Sequence, residues 1–289
     1  LNQDKYNMLY FGNICFLIGT FFLSTALPIS ALFFLIAIFI SFLKGKLNIF
    51  NDKLNYLLFA SIGLIIFSTL NNSIFNPSDA IANIKKTDLW LSTLNWIPMF
   101  FAFWGFQVYL KKNEQRKLFA KFLIAGSIPV IFSCALQYWL KVFGPFETLN
   151  GLIVWFQKPL LDNDGVSGLF SNQNYTGFWF AMIWPFSIYL LRIKKNNIYS
   201  KIIMFLITIF IVYFGILTNS RNSVLGIALS IPILFGLKTF LIISFILILL
   251  IFLYLFLLNN SLINFKNLSS FIPVALLEKI TTFNISDMS

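Results

Sequence analysis

"LTNSRNSVLG" occupies residues 217–226, between the runs "KIIMFLITIFIVYFGI" (201–216) and "IALSIPILFGLKTFLIISF" (227–245). A helix crosses the roughly 30 Å bilayer core with about 20 apolar residues, and both flanking stretches are strongly apolar. Between them stands an arginine with no acid nearby. The apolar run Val224–Gly236 reaches only about 20 Å at 1.5 Å per residue. To span, a helix must recruit "NSRNS" (219–223) into its first turn. Arg221 is then drawn to the edge of the hydrocarbon, where snorkelling relieves part of the cost of a charge but not all of it.

The rest of the chain has the same character. Of its 289 residues 58% are hydrophobic and 11% charged, and the mean hydropathy is +0.83. Soluble domains carry about 25% charged residues. The expected fold class is therefore all-α, a polytopic transmembrane helical bundle. Nine spans are expected near residues 9–27, 29–43, 54–71, 95–110, 118–140, 174–191, 202–218, 221–236 and 238–258. Residues 1–258 then form the bundle, and 259–289 open a large loop. Pro28 and Ser30 are expected to make the turn of a tight hairpin between the first two spans. Pro98, Pro129, Pro185 and Pro232 fall inside spans, where membrane helices tolerate kinks.

Lysine and arginine set the orientation. With the N-terminus inside, 13 of the 21 basic residues fall in inside segments such as "KKNEQRK" (111–117) and "RIKKNNIYSK" (192–201), while seven of the ten acids fall outside. The expected topology is N-terminus cytoplasmic. Three long segments, near 72–94, 141–173 and after 258, then face outward. Long loops are where function concentrates.

Several classes are excluded or disfavoured. The chain contains no histidine, so it offers no histidine base, zinc site or histidine-based triad. Cys15 and Cys134 lie in apolar runs and read as small apolar residues. No metal site or cofactor is expected. The excess of basic residues reads as cytoplasmic-loop lysine, not as a nucleic-acid surface. Asp162 and Asp164 in "LDNDGVSG" lack the EF-hand pattern and read as a turn. Lys85, Lys86, Asp79 and Asp88 read as a solvated loop face. Trp90 and Trp155 read as interface anchors.

In this topology the helix after Arg221 runs outside to inside, so its positive N-terminal end faces out. Asn219 or Ser220 can cap it. An arginine there opposes the dipole preference, and together with free N–H groups it suits an anion, phosphate best. The stretch "DGVSGLFSNQNYTGFWF" (164–180) repeats the pattern at the sixth span. Ser171, Asn172 and Asn174 stand at its start, and Gly165 and Gly168 permit close backbone approach. Arg221, Ser220, Asn172 and Asn174 are the candidate diphosphate-binding residues. The competing readings are a snorkelling Arg221 that meets lipid headgroups, and simple helix capping by Asn172 and Asn174.

Gly168-Leu169-Phe170-Ser171-Asn172-Gln173-Asn174, followed about 45 residues later by Thr218-Asn219-Ser220-Arg221-Asn222-Ser223-Val224-Leu225-Gly226, resembles the motif pair of the O-antigen ligase and polymerase family. The resemblance covers about residues 160–289; the earlier half matches only in span count. It implies a GT-C-type bundle of roughly twelve helices in the bacterial inner membrane. Its members transfer a glycan from a polyprenyl-diphosphate donor to lipid A-core, another lipid-linked repeat or a protein on the periplasmic side. The family arginine matching Arg221 is thought to hold the donor diphosphate. A second arginine and a histidine of the family site lie in a later loop; "TTFNISDMS" (281–289) resembles the run just before that arginine. Both ends of this chain read as cut, so the expected catalytic residues are none within it, and it is expected to be inactive alone. The expected partners are the donor glycan, the glycan acceptor and membrane lipid. The alternatives are a polymerase, a flippase or small-anion carrier, and a non-catalytic assembly partner. Carriers favour ionisable groups in mid-span; here the spans are almost free of them, Lys121 excepted.

Overall fold

The computed structural model describes residues 2–45, 49, 53–75, 86–161, 164–193 and 197–259. Among the described residues the protein is overwhelmingly helical. These residues form nine α-helices: α1 (Asn2–Phe22), α2 (Leu27–Lys44), α3 (Lys53–Leu70), α4 (Lys86–Phe106), α5 (Asn113–Trp139), α6 (Gln173–Leu191), α7 (Ile198–Leu217), α8 (Arg221–Phe235) and α9 (Leu237–Asn259). Helices suit so apolar a chain because they satisfy their backbone groups internally. Leu27–Lys44, Asn55–Ser73, Asn113–Trp139 and Ile198–Leu217 are long and apolar enough to cross a membrane. This is a membrane protein. At 15 residues, α8 measures about 22 Å.

Several expected helix boundaries change; the first span, expected over 9–27, is α1 at Asn2–Phe22, and the fifth, expected from 118, starts at Asn113. The helix expected from residue 95 starts at Lys86. Asp88 lies in its first turn, where a carboxylate meets the positive end of the dipole. Pro28 and Ser30 do not form the turn between α1 and α2. Both sit inside the start of α2, where a missing N–H costs nothing. Ser30 Oγ donates to the Gly19 carbonyl (2.8 Å) and ties α2 to α1. The expected loop 259–289 lies outside the described residues except for Asn259, the last residue of α9.

The chain divides into two units. The first comprises Leu1–Phe22 and Pro28–Phe119. Its core is aromatic. Phe16 packs on Phe106 (4.8 Å between centroids) and stacks with Tyr109 and Phe119 (5.6 Å each). The Tyr109 hydroxyl donates to the Ala37 carbonyl (2.8 Å). Buried Asn55 donates to the Ile49 carbonyl (2.7 Å) and accepts from Trp104 Nε1 (3.3 Å).

The second unit comprises Leu23–Leu27 and Ala120–Ser289. Here α6 packs on α7 and α8. Small residues let α6 and α8 approach closely, as is common between membrane helices. A Cβ added to Gly177 would lie 2.8 Å from Ser220 Cβ and 2.9 Å from Ser223 Cβ; one added to Gly226 would lie 2.9 Å from Ala181 Cβ. Further along, Trp184 Nε1 donates to Ser230 Oγ (2.7 Å), and Arg192 donates to the Leu234 carbonyl (2.6 Å). These contacts advance along both helices in the same direction, so α6 and α8 run parallel with their N-termini at one end.

The segment between α5 and α6 carries a feature not expected of an all-α chain. Strands β1 (Phe146–Thr148) and β2 (Ile153–Trp155) pair antiparallel, with Phe146 opposite Trp155. Trp155 is more than an interface anchor: its Nε1 donates to the Thr25 carbonyl (2.7 Å).

Candidate functional site

Arg221 is the first residue of α8. Its side chain is exposed and has no hydrogen bond or ion pair among the described residues. Ser220 occupies the N-cap position with extended backbone (φ −93°, ψ 117°), but its side chain makes no capping bond. The expectation of a cap by Asn219 or Ser220 is therefore corrected. The first turn is closed by the Ser220 carbonyl, which accepts from Ser223 N (3.1 Å) and Val224 N (3.3 Å). The side-chain oxygens of Asn219, Ser220 and Ser223 are buried and without partners. Buried polar atoms are nearly always paired, so three orphans within five residues at one helix start mark this as an unusual place.

The start of α6 stands beside it. Asn172 caps α6 by accepting from Asn174 N (2.8 Å), so the capping reading of Asn172 describes its carbonyl oxygen. The turn before α6 reaches toward the α7–α8 junction. Val166 N donates to the Leu217 carbonyl (3.0 Å). Gly165 lies against the Thr218 carbonyl so closely that no Cβ fits there. Gly168 has φ +51°, and a Cβ on it would lie 2.8 Å from Cys134 Sγ. Both glycines expected to allow close approach do so.

Gln137, at the end of α5, holds this turn. It is fully buried. Its Nε2 donates to the Lys158 carbonyl (2.6 Å) and to Ser167 Oγ (3.1 Å). Its Oε1 accepts from Ser167 N (3.0 Å) and Gly168 N (2.9 Å). All four hydrogen-bonding sites of the amide are used. Gln157 makes a second brace, donating to the Val142 carbonyl (2.8 Å) and accepting from Ser133 Oγ.

Between these braces and the start of α6 lies a polar pocket of about 210 Å3, lined in part by Gln137, Lys158, Asp164, Ser171, Asn172 and Asn174. Arg221 and Ser220 are not in its lining. The structure thus brings the two helix starts together; Asn172 and Asn174 line the pocket, and Arg221 and Ser220 stand at the start of α8 outside its lining.

Gln137 and Lys158 were not singled out from sequence as site residues. The signal for Gln137 was a polar amide inside the apolar run of α5. Asp164 N donates to the Leu161 carbonyl (2.9 Å), the turn expected of "LDNDG"; Asp162 lies outside the described residues. No group of three potential metal ligands occurs among the described residues. Comparison with protein-family models, curated proteins and solved structures finds no match to this chain.

Proposed function

We propose that this chain belongs to a membrane glycosyltransferase of the O-antigen ligase type. In this reading its nine helices are nine spans of a GT-C-like bundle in the bacterial inner membrane, with the N-terminus cytoplasmic. The reaction moves a glycan from a polyprenyl-diphosphate donor to lipid A-core or a similar acceptor on the periplasmic face. The acceptor hydroxyl oxygen bonds to the anomeric carbon and gives up its proton to solvent or to the departing group, and the bond from that carbon to the diphosphate oxygen breaks with its electron pair, releasing the polyprenyl diphosphate. Charge grows on the diphosphate. Fixed positive groups aimed at that charge stabilise the transition state.

One observation carries the reading: Arg221 stands unpaired on the first turn of α8, among three buried, unpartnered oxygens and next to the parallel start of α6. A merely snorkelling arginine does not account for the orphaned oxygens. The hydroxyls of Ser220 and Ser223 can donate to phosphate oxygens, and the free N–H groups of the first turn add to them. The motif order around residues 168–174 and 218–226 supports the same reading. The described residues supply donor binding, and no general base is assigned among them.

The test is Arg221→Ala in cells that make the surface polysaccharide. Attached polymer is expected to fall by about 10²–10³-fold, the cost of losing one transition-state donor, at unchanged protein level. Arg221→Lys keeps the charge but loses the fork that matches phosphate, and is expected to recover only part of the activity. Normal assembly by Arg221→Ala would sink the reading. Loss of all attached polymer indicates a ligase; retention of a single repeat indicates a polymerase.

A further inference from the structure

We propose that the pocket at the start of α6 is a carbohydrate subsite that takes one sugar ring, distinct from the phosphate site at Arg221. The proposal rests on the glycan-transfer reading and names the ligand class at its second half.

The first argument is hydrogen-bond accounting. Ser167 is 3% exposed and lines the pocket. Its Oγ accepts from Gln137 Nε2 (3.1 Å) and Lys158 N (3.3 Å). A hydroxyl has two acceptor sites and one proton; both acceptor sites are filled, and the proton has no partner among the described residues. The Gln137 amide is saturated, so it holds the wall and contributes nothing to a ligand. The wall therefore presents one buried donor without an acceptor.

The second argument is the mixture of charges. Lys158 and Asp164 both line the pocket, and neither side chain has a hydrogen bond or ion pair among the described residues. A phosphate needs donors only, and an unpaired Asp164 carboxylate would repel it. A sugar hydroxyl both donates and accepts. It can accept from Lys158 Nζ, the Ser167 hydroxyl and the Asn172 amide, and donate to Asp164. The lining therefore fits a polyhydroxyl ligand better than an anion.

The third argument is size. The pocket holds about 210 Å3. It falls below the roughly 300–1,000 Å3 of drug-sized sites, so it suits a single ring. The adjacency of the α6 and α8 starts then gives a division of labour. Arg221 faces the phosphates of a glycan diphosphate, and the pocket faces one of its sugars.

The experiment uses the full chain in lipid nanodiscs and saturation-transfer NMR. The probes are glucose, galactose, N-acetylglucosamine, N-acetylgalactosamine and inorganic pyrophosphate. At least one sugar is expected to bind with millimolar affinity, as one ring with few contacts should. Asp164→Ala and Asn174→Ala, both at exposed positions, are expected to weaken it about tenfold each, while Arg221→Ala leaves it unchanged. Pyrophosphate is expected to bind without displacing the sugar, and Arg221→Ala is expected to abolish pyrophosphate binding. The subsite is refuted if no sugar of the panel binds, or if pyrophosphate competes with the sugar or loses affinity in Asn174→Ala. Those results leave the donor-phosphate reading standing as long as pyrophosphate binding depends on Arg221. The opposite pattern, sugar binding intact and pyrophosphate binding indifferent to Arg221, supports the subsite and removes the donor clamp.

Discussion

Gly177→Ala adds one methyl group where α6 meets the start of α8. The new Cβ would lie 2.8 Å from Ser220 Cβ, 2.8 Å from Thr218 Oγ1 and 2.9 Å from Ser223 Cβ. Ordinary carbon–carbon contact lies at about 3.5–4.0 Å, so the helices must part by roughly 0.7–1 Å. Overpacking of this kind costs about 1–3 kcal/mol. Replacing a helical glycine by alanine returns up to about 1 kcal/mol of propensity. The net loss of stability is therefore small, about 0–2 kcal/mol. The functional cost is expected to be larger, because the methyl pushes on the residues that carry Arg221, and a displacement of about 1 Å can cost about 10²-fold in rate. The control is Gly63→Ala, since a Cβ on Gly63 meets nothing within 4 Å. Thermal unfolding of the purified protein and polymer assembly in cells are measured for both variants. Gly177→Ala is expected to fold near normally and to lose most activity, whereas Gly63→Ala keeps both. Full activity in Gly177→Ala would show that the close approach of α6 and α8 does not set the position of Arg221, and the two-helix site would be wrong.

Gln137→Leu leaves Ser167 N and Gly168 N unpaired in a buried wall; at about 1–3 kcal/mol for each buried unsatisfied group, a clear fall in unfolding temperature is expected, with faster proteolysis between residues 141 and 171. Trp155→Phe removes the 2.7 Å bond to the Thr25 carbonyl with part of the ring, and the lost bond is expected to cost about 0.5–1.5 kcal/mol, measured by the same unfolding assay. Lys158→Cys, at an exposed position, is expected to react with a membrane-impermeant maleimide added from the periplasmic side of cells with a permeabilised outer membrane. Labelling only after the inner membrane is opened would invert the topology.

Much of the helical order is legible in the sequence because apolar length is a local property. Runs such as 202–218 and 221–236 differ from α7 and α8 by only a few residues at their ends. The start of α4 was not legible, because "KKTD" reads as a charged loop until Asp88 is seen in a first turn. The hairpin was missed although Asn150-Gly151, flanked by apolar residues, is a known turn signal; residues 141–173 read only as a long outward loop. The site was half legible. The motifs at 164–180 and 218–226 mark two helix starts, and helix polarity brings them to one side. The pocket was not legible, since Gln137 reaches residues 21 and 30 positions away, and nothing local encodes such a contact. The placing of Asn172 and Asn174 on the pocket, with Arg221 and Ser220 outside its lining, likewise depends on packing.

Ser220 separates an ordinary helix start from a binding site through the sign of one measurement. A serine at an N-cap usually accepts a hydrogen bond from the first turn, and alanine there costs about 1 kcal/mol. In this structure Ser220 is 1% exposed, makes no capping bond, and its Oγ is buried without a partner. Removing a buried, unpaired hydroxyl relieves a desolvation penalty of about 1–3 kcal/mol. Ser220→Ala is therefore expected to raise the unfolding temperature, by about 2–4 °C per kcal/mol for a chain approaching this size. The same change removes a donor near Arg221 and is expected to weaken pyrophosphate binding. Higher stability with weaker binding is the pattern of a site kept at the expense of the fold. A lower unfolding temperature would mean that the hydroxyl caps α8 after all. The orphaned oxygen that points to an anion would then be an ordinary cap, and Arg221 would have to carry the proposal alone.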